Sequence, residues 1–476
     1  MERPDGFSPG RLCKGIDTVH NPQHRREAGS AVDAPRRRKG HPMTSDDLRA
    51  RMARLGYQLK TGATLQSGEE APPSGQPSPR PSPLGRGGYT IDRVVEGSYL
   101  STPCGDCFVA EQHHPAGHPH GSYRLEEALE VDPEQLSWLG RDPRLAGLDL
   151  SRCAFLDTET TGLAGGTGTY AFLVGLGYFE GSRFVVRQFF MEDFDAEEAA
   201  LHAVAEALAP LGGVVTFNGK AFDLPLLETR FQMLRRPFPL RGLPHLDLLF
   251  PSRRLWRNRL ESCALSSLEV EILGVEREGD VPGWLIPGLY FSYLQSRDAR
   301  PLAAVFEHNR QDLLSLATLA TRLARQYADP FHPQMEDPRD LAALGVIFEG
   351  LEMVDRAALC YERAVELSPS GEPRGRAMLR LGNLYKRLRL RQDAVEIWRK
   401  LAAAGHAYTL VAYLEMAKHY EHVARDYLQA ERIILQALSA LELRAARAEP
   451  WRLERERQDL EHRLARLRRK LNRNPL

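Results

Sequence analysis

Net charge is what this sequence lacks. Sixty-three Lys and Arg balance 63 Asp and Glu over 476 residues, so any basic surface must be local. Cysteine is scarce as well: Cys13, Cys104, Cys107, Cys153, Cys263 and Cys360 are too few and too irregularly spaced for a disulfide framework. That pattern points to a reducing compartment, the cytoplasm. Long apolar runs are missing too. The longest, YAFLVGLGYF, is about half of the roughly 20 residues a bilayer-spanning helix needs and is broken by glycine, so no membrane partner is expected. The N-terminal MERPDGFSPG holds no apolar core of the secretory kind.

What is present falls into segments. Residues 1–42, rich in Arg, Pro, Gly and His, are expected to be a disordered extension. Met43 is a candidate native start. It opens a short helix over 43–63, with Leu48, Met52 and Leu55 on one face. Residues 64–88 read as a Pro/Gly/Ser-rich linker. A small subdomain with strands is expected over 89–150, where GDCFVAEQHHP is strand-like. There Cys104 and Cys107 form a CxxC close to His113, His114, His118 and His120; either they bind zinc, or they belong to a strand followed by a His-rich loop. Over 151–328 the order is α/β. CAFLD, TYAFLVGLGYF and FVVRQFF read as strands, the last two a hairpin turning near Glu180-Gly181. A helix (DAEEAALHAVAEALAPL), a buried strand (GVVTFNG) and another helix (FDLPLLETRFQML) follow.

After residue 338 the text becomes helical and repetitive. Leu344-Gly345-Phe348 matches Leu381-Gly382-Tyr385, and Ala357-Tyr361-Ala364 matches Ala394-Trp398-Leu401; Ala430, Ile434 and Ala437 form a weaker third copy. Small residues let paired helices approach, and the aromatics four residues on fill the gap. This pattern resembles tetratricopeptide repeats over 338–440, which implies a protein partner. An Arg-rich helix with a solvated charged face is expected over 441–476.

Four acids carry the chemistry. Asp157 and Glu159 end the strand CAFLD, one residue apart and so on one side of it. Asp223 follows the strand in FNGKAFD, and Asp312 lies on the helical stretch FEHNRQDLLSLATLA, sharing a face with His308. Hard divalent ions take oxygen ligands, and phosphodiester hydrolysis is well served by two of them held about 3.5–4 Å apart. Converging carboxylates would repel one another without such ions. A histidine nearby suits proton transfer near neutral pH.

As a set, DTETTG, FNGKAFD and HNRQD resemble the three motifs of the DEDD exonuclease superfamily, and the text from RRLWRNRLESCALSSLEVEILGVEREGD to HNRQDLLSLATLA looks like its YprB-type branch. The resemblance covers about residues 90–440. It implies an α/β fold: a ribonuclease H-like mixed, mostly parallel sheet with helices on both faces, followed by an all-α tetratricopeptide-repeat domain. It implies metal ligation by Asp157, Glu159, Asp223 and Asp312, two Mg2+ or Mn2+ ions, and cleavage of single-stranded DNA or RNA, commonly from a 3′ end. His308, four residues before the last acid, occupies a slot that commonly holds tyrosine; it is a candidate general base or an ordinary helix-surface histidine. Candidate substrate contacts are Thr160, Asn218, Arg253 and Arg254. Their dull readings are a strand-end cap for Thr160 and a turn former for Asn218. Lys220 reads as an exposed loop lysine, Asp247 as a helix cap and Trp256 as core. A different class of function is an adaptor, in which the repeats bind protein and the α/β domain only binds nucleic acid.

Overall fold

Along the run Cys153–Leu156 alternate side chains enter two different cores, Phe155 one and Ala154 and Leu156 the other. A strand apolar on both sides needs cover on both sides. The computed structural model describes residues 89–162, 167–331, 335, 337–405, 408–444 and 450–473, all within one compact unit. The expectations for 1–42, 43–63 and 64–88, and for Met43, lie outside the described residues.

In chain order, α1 (Ile91–Val94) leads into β1 (Ser98–Thr102), β2 (Gly105–His114) and a small ribbon, β3 (Pro119–His120) with β4 (Tyr123–Arg124). After α2 (Pro133–Gly140) come β5 (Cys153–Thr160), β6 (Ala171–Glu180) and β7 (Arg183–Phe190). Then follow α3 (Glu197–Leu208), β8 (Gly213–Thr216), α4 (Asp223–Met233), β9 (His245–Asp247) and α5 (Leu249–Trp256). The short α6 (Leu265–Leu268), α7 (Ile286–Ser296) and the long α8 (Leu302–Ala328) complete this part.

The seven-stranded sheet runs β1-β2-β7-β6-β5-β8-β9. It is mixed, as expected, but not mostly parallel: only β5–β8 and β8–β9 pair in parallel, and the other four pairings are antiparallel. The two-residue link between β6 and β7 permits nothing else, because a parallel partner needs a long crossover. Nor do residues 89–150 form a separate subdomain, since β1 and β2 extend this same sheet through β7. One face is covered by α3, α4, α7 and the first turns of α8, Leu302 to Phe306; the other by α2, α5 and Leu313 to Tyr327 of α8. Helix α8 therefore crosses from one face to the other, and the segment at the crossing is His308–Asp312.

The rest is helical: α9 (Pro338–Gly350), α10 (Val354–Leu367), α11 (Glu372–Arg387), α12 (Arg391–Ala403), α13 (Thr409–His419), α14 (Tyr427–Arg444) and α15 (Pro450–Arg473). A Cβ at Gly345 would collide with the Tyr361 ring, and one at Gly382 with the Trp398 ring, the same offset in two successive helix pairs. Room for the partner helix's aromatic ring is the physical reason for glycine there. This region shares a core with the sheet, because Leu344, Phe348, Tyr361 and Leu381 join the cluster that holds Phe155 and Leu316. An ion pair between the half-buried Arg259 and the buried Asp340, Nε to Oδ2 at 3.0 Å, crosses the junction.

Helix α15 buries Leu460, Leu464 and Leu467, and its charged face is not all solvated. Arg463, Arg466 and Lys470 converge on the buried Glu421 at 2.9, 2.8 and 2.9 Å. Burial alone would raise the Glu421 pKa, but the Arg466 and Lys470 hydrogen bonds override it and hold the carboxyl at about 2. A folded value below the unfolded one lends stability that is full above about pH 4.5 and lost as pH falls through about 2. Glu421→Gln is expected to lower unfolding free energy by up to about 3 kcal/mol at pH 7. Urea titrations should show that gap closing between pH 4.5 and 2.

Candidate active site

The C-terminal ends of β5, β8 and β9 lie on one edge of the sheet because these three strands are parallel. In such sheets that edge is where ligands enter. Asp157 and Glu159 end β5, Asp223 opens α4 just after β8, and Asp247 ends β9. The crossing of α8 adds His308 and Asp312 from above.

These acids feel one another. Burial first, then the charges of Asp312, Glu159 and Asp223, pushes the Asp157 carboxyl well above the ordinary range. Glu159 is raised likewise by burial and then by Asp312, Asp223 and Asp280, while Arg277 opposes the shift. Asp223 is raised to about 6 by burial, against the hydrogen bond from Thr158 Oγ1 at 2.5 Å. Three carboxyls whose ionised forms are all disfavoured define a place that calls for positive charge.

The chain supplies part of that charge. Arg277, side chain 9 % exposed, donates to Asp312 Oδ1 and to Glu269, at 2.5 Å to its Oε1 and 2.8 Å to its Oε2. It also sits 3.4 Å from Asp280 Oδ2. Glu269 is 1 % exposed and accepts from Ser315 Oγ, which contacts His120 Nε2 at 2.8 Å. Burial depresses His120 to about 3, so its ring stays neutral. A buried polar chain thus runs from the His-rich segment to Asp312.

His308 is held differently. Its Nδ1 lies 2.7 Å from Asp280 Oδ1, while Nε2 lies 4.0 Å from Glu159 Oε1 and 3.9 Å from Asp312 Oδ2. An ionised carboxylate only accepts, so Nδ1 carries the proton, and in the neutral ring Nε2 keeps its lone pair toward the acids. Asp157 is fixed by Asn309, whose Nδ2 donates to Oδ2 at 2.8 Å; Asn309 Oδ1 in turn accepts from Gln188 Nε2 at 2.9 Å, which settles the amide's orientation. Asn309 fits only because Gly175, opposite Asp157 on β6, has no Cβ to collide with it.

The structure therefore brings Asp157, Glu159, Asp223, His308 and Asp312 together. The other expected residues divide. Thr160 Oγ1 donates to the Gly162 carbonyl at 3.1 Å, a strand-end role. Asn218 takes φ 67° in the turn after β8, and its backbone N–H donates to Asp247 Oδ1 at 2.8 Å. Asp247 also accepts from the Lys220 and Leu249 backbones, so it ties the loop before Asp223 to the start of α5, whose cap position is held by Leu248 and not, as expected, by Asp247. Arg254 is a correction: it turns inward, donates to the Leu139 carbonyl and is desolvated, whereas Arg253 is exposed. On an amphipathic helix adjacent arginines must face apart. Trp256 is core. Cys107 is buried on β2 with its thiol pushed up to about 12, and Cys104 accepts from Arg236 at 2.9 Å, so the pair serves the strand and its turn. Sequence reasoning missed Asn309, Glu269, Arg277 and Asp280. Only Asn309 carried a signal, lying three residues before Asp312 on the same helix face.

Among the described residues no group of three Asp, Glu, His or Cys side chains is arranged to hold a metal ion. The chemistry of the acids nonetheless suits one. All donors are oxygens, and Glu159 Oε1 is buried with no hydrogen-bond partner among the described residues. Such an orphan is costly unless a cation meets it.

Residues 154–324, which hold β6 to β9, nearly all of β5 and most of α8, match the family model of the RNase H superfamily. The chain is also 32 % identical over 367 residues to "Uncharacterized protein YprB" of Bacillus subtilis (strain 168), spanning 76 % of this chain and 86 % of that one. It belongs to the family of that protein.

Two outcomes follow. Arg277→Met would leave Glu269 buried without its cation, and calorimetry should show a loss of about 3–5 kcal/mol. Glu159→Gln should instead raise the melting temperature in EDTA by a few degrees by relieving repulsion.

Proposed function

We propose that the chain is a metal-dependent nuclease, a two-metal phosphodiesterase that acts from the 3′ end of single-stranded DNA or RNA. The observation that carries this reading is the meeting of four acids, from three separated segments, at the ligand-entry edge of an RNase H superfamily sheet, with three of their pKa values raised. Asp157, Glu159, Asp223 and Asp312 would hold two Mg2+ or Mn2+ ions. When bound, such ions lower the pKa of water and stabilise the leaving oxygen. The chain's own part is orientation and proton transfer. Asn309 and Thr158 keep Asp157 and Asp223 facing the site. His308 Nε2 accepts the proton of the attacking water, and Asp280 on Nδ1 stabilises the imidazolium that forms. Arg277, itself anchored on Glu269, holds Asp312 in place at the site.

The helical part, in this reading, is a tetratricopeptide-type platform for a protein partner. Support comes from the repeated Gly–aromatic contacts and from a cavity of about 530 Å³ between α11–α13 and α15. Its wall pairs Lys386 and Lys418 with Glu415 and Arg463 with Glu421, and leaves Arg389 and Arg391 as the charges that suit an acidic segment. The protein works in the cytoplasm on this view.

End-labelled oligonucleotides incubated with Mg2+ or Mn2+ test the enzyme reading. A ladder shortening from the 3′ end is expected, abolished by Asp157→Asn and slowed about 10²-fold or more by His308→Ala. No cleavage with either metal would leave the adaptor reading, in which the α/β domain only binds nucleic acid.

A further inference from the structure

Beside the acids, on the same edge of the sheet, lies a cavity of about 730 Å³ lined by Phe217, Asn218, Arg253, Arg257, Leu260 and Cys263. Phe217 and Asn218 follow β8 directly, and Arg253 and Arg257 come from α5 after β9, so the cavity sits at the ends of β8 and β9 while Asp157 sits at the end of β5. Adjacent strands are about 4.8 Å apart, which puts the cavity roughly 5–10 Å from the acids.

The arginines sort themselves by use. In PSRRLWRNRL, Arg254 is spent on the Leu139 carbonyl and Arg259 on Asp340. Arg253 and Arg257, one helical turn apart on one face, are exposed and have no ion pair among the described residues. A single acid, Glu261, shares the cavity wall with them. Phe217 is half-buried, and Asn218 is held at positive φ, a conformation found disproportionately at functional sites. Two unpaired cations, a partly exposed ring and an amide make a site for a phosphate, a base face and a base edge. A recess of this size has room for an unpaired nucleotide.

We propose that this cavity holds the nucleotides of a single strand next to the one being cleaved, with Arg253 and Arg257 on their phosphates and Phe217 under a base. The proposal rests on the nuclease reading and names its substrate path. It also assigns to Arg257 the contact that helix geometry denies to Arg254.

The test uses the full chain and fluorescein-labelled dT12 and U12, by anisotropy in EDTA and in Ca2+ at several salt concentrations. Arg253→Gln/Arg257→Gln should weaken binding about tenfold or more. It should also lower the slope of log affinity against log salt by about 1.4, or 0.7 per lost phosphate contact on a single strand. Its melting temperature should match the parent's, since both side chains are exposed. Alkylation of Cys263, followed by mass spectrometry with Cys104 as internal reference, should slow when the oligonucleotide is bound, and the double variant should lose that protection. Unchanged affinity and protection in the double variant would overturn the cavity assignment and leave the nuclease reading intact. Absence of oligonucleotide binding by the parent chain in both media would overturn both. Equal protection of Cys263 by polyglutamate would overturn the nucleotide assignment in favour of an acidic peptide.

Discussion

Repulsion among buried carboxylates is the constraint around which this molecule is built. Asp157, Glu159 and Asp223 are each disfavoured as anions by burial, Asp157 further by Asp312, Glu159 and Asp223, and Glu159 further by Asp312, Asp223 and Asp280. Left alone, such a group would be pushed apart or neutralised. It stays together because each acid is fixed by something rigid: Asp157 by Asn309, Asp223 by Thr158, Asp312 by Arg277. Glu159 is the exception, its Oε1 having no hydrogen-bond partner among the described residues. The fold thus holds a deficit of positive charge at one point, and the site's chemistry follows from how that deficit is filled.

Helix α8 is the device that makes this possible. Its first turns belong to the core on one face of the sheet and its later turns to the core on the other, so burial of Val305 and Phe306 and of Leu313 and Leu316 locks the segment between them over the strand ends. Packing at both ends of a 27-residue helix leaves little freedom at the middle. His308, Asn309 and Asp312 then project at the crossing. The same core runs on into α9–α11, so the helical region is continuous with the layer beneath the site.

Much of the α/β order was legible from periodicity. CAFLD became β5, the two apolar runs became the β6–β7 hairpin, and the acidic-capped helix became α3. Strand direction was not legible, because alternation tells which face a residue takes but not which way its neighbour runs. Of the site, the acids were legible because carboxylates after apolar strands are conspicuous. Their holders were not. Arg277 and Asp280 lie in a loop of charged residues, REGD, that reads as a solvated turn, and Glu269 sits on an unremarkable apolar helix. The choice between Arg254 and Arg257 also turned on which side of α5 meets the core.

The sequence by itself determined the residue types: three acids at strand and helix ends, a fourth within a long helix with a histidine one turn before it, small residues and aromatics at fixed offsets in the helices. Those follow from local chemistry and spacing. Which of these groups touch was decided by tertiary structure, since contacts between Asp157 and Asn309, or Arg277 and Asp312, join segments that are distant in the chain and meet only when both faces of the sheet are covered. Charge balance at the site is likewise a tertiary property, for it depends on burial and on neighbours that no local pattern contains.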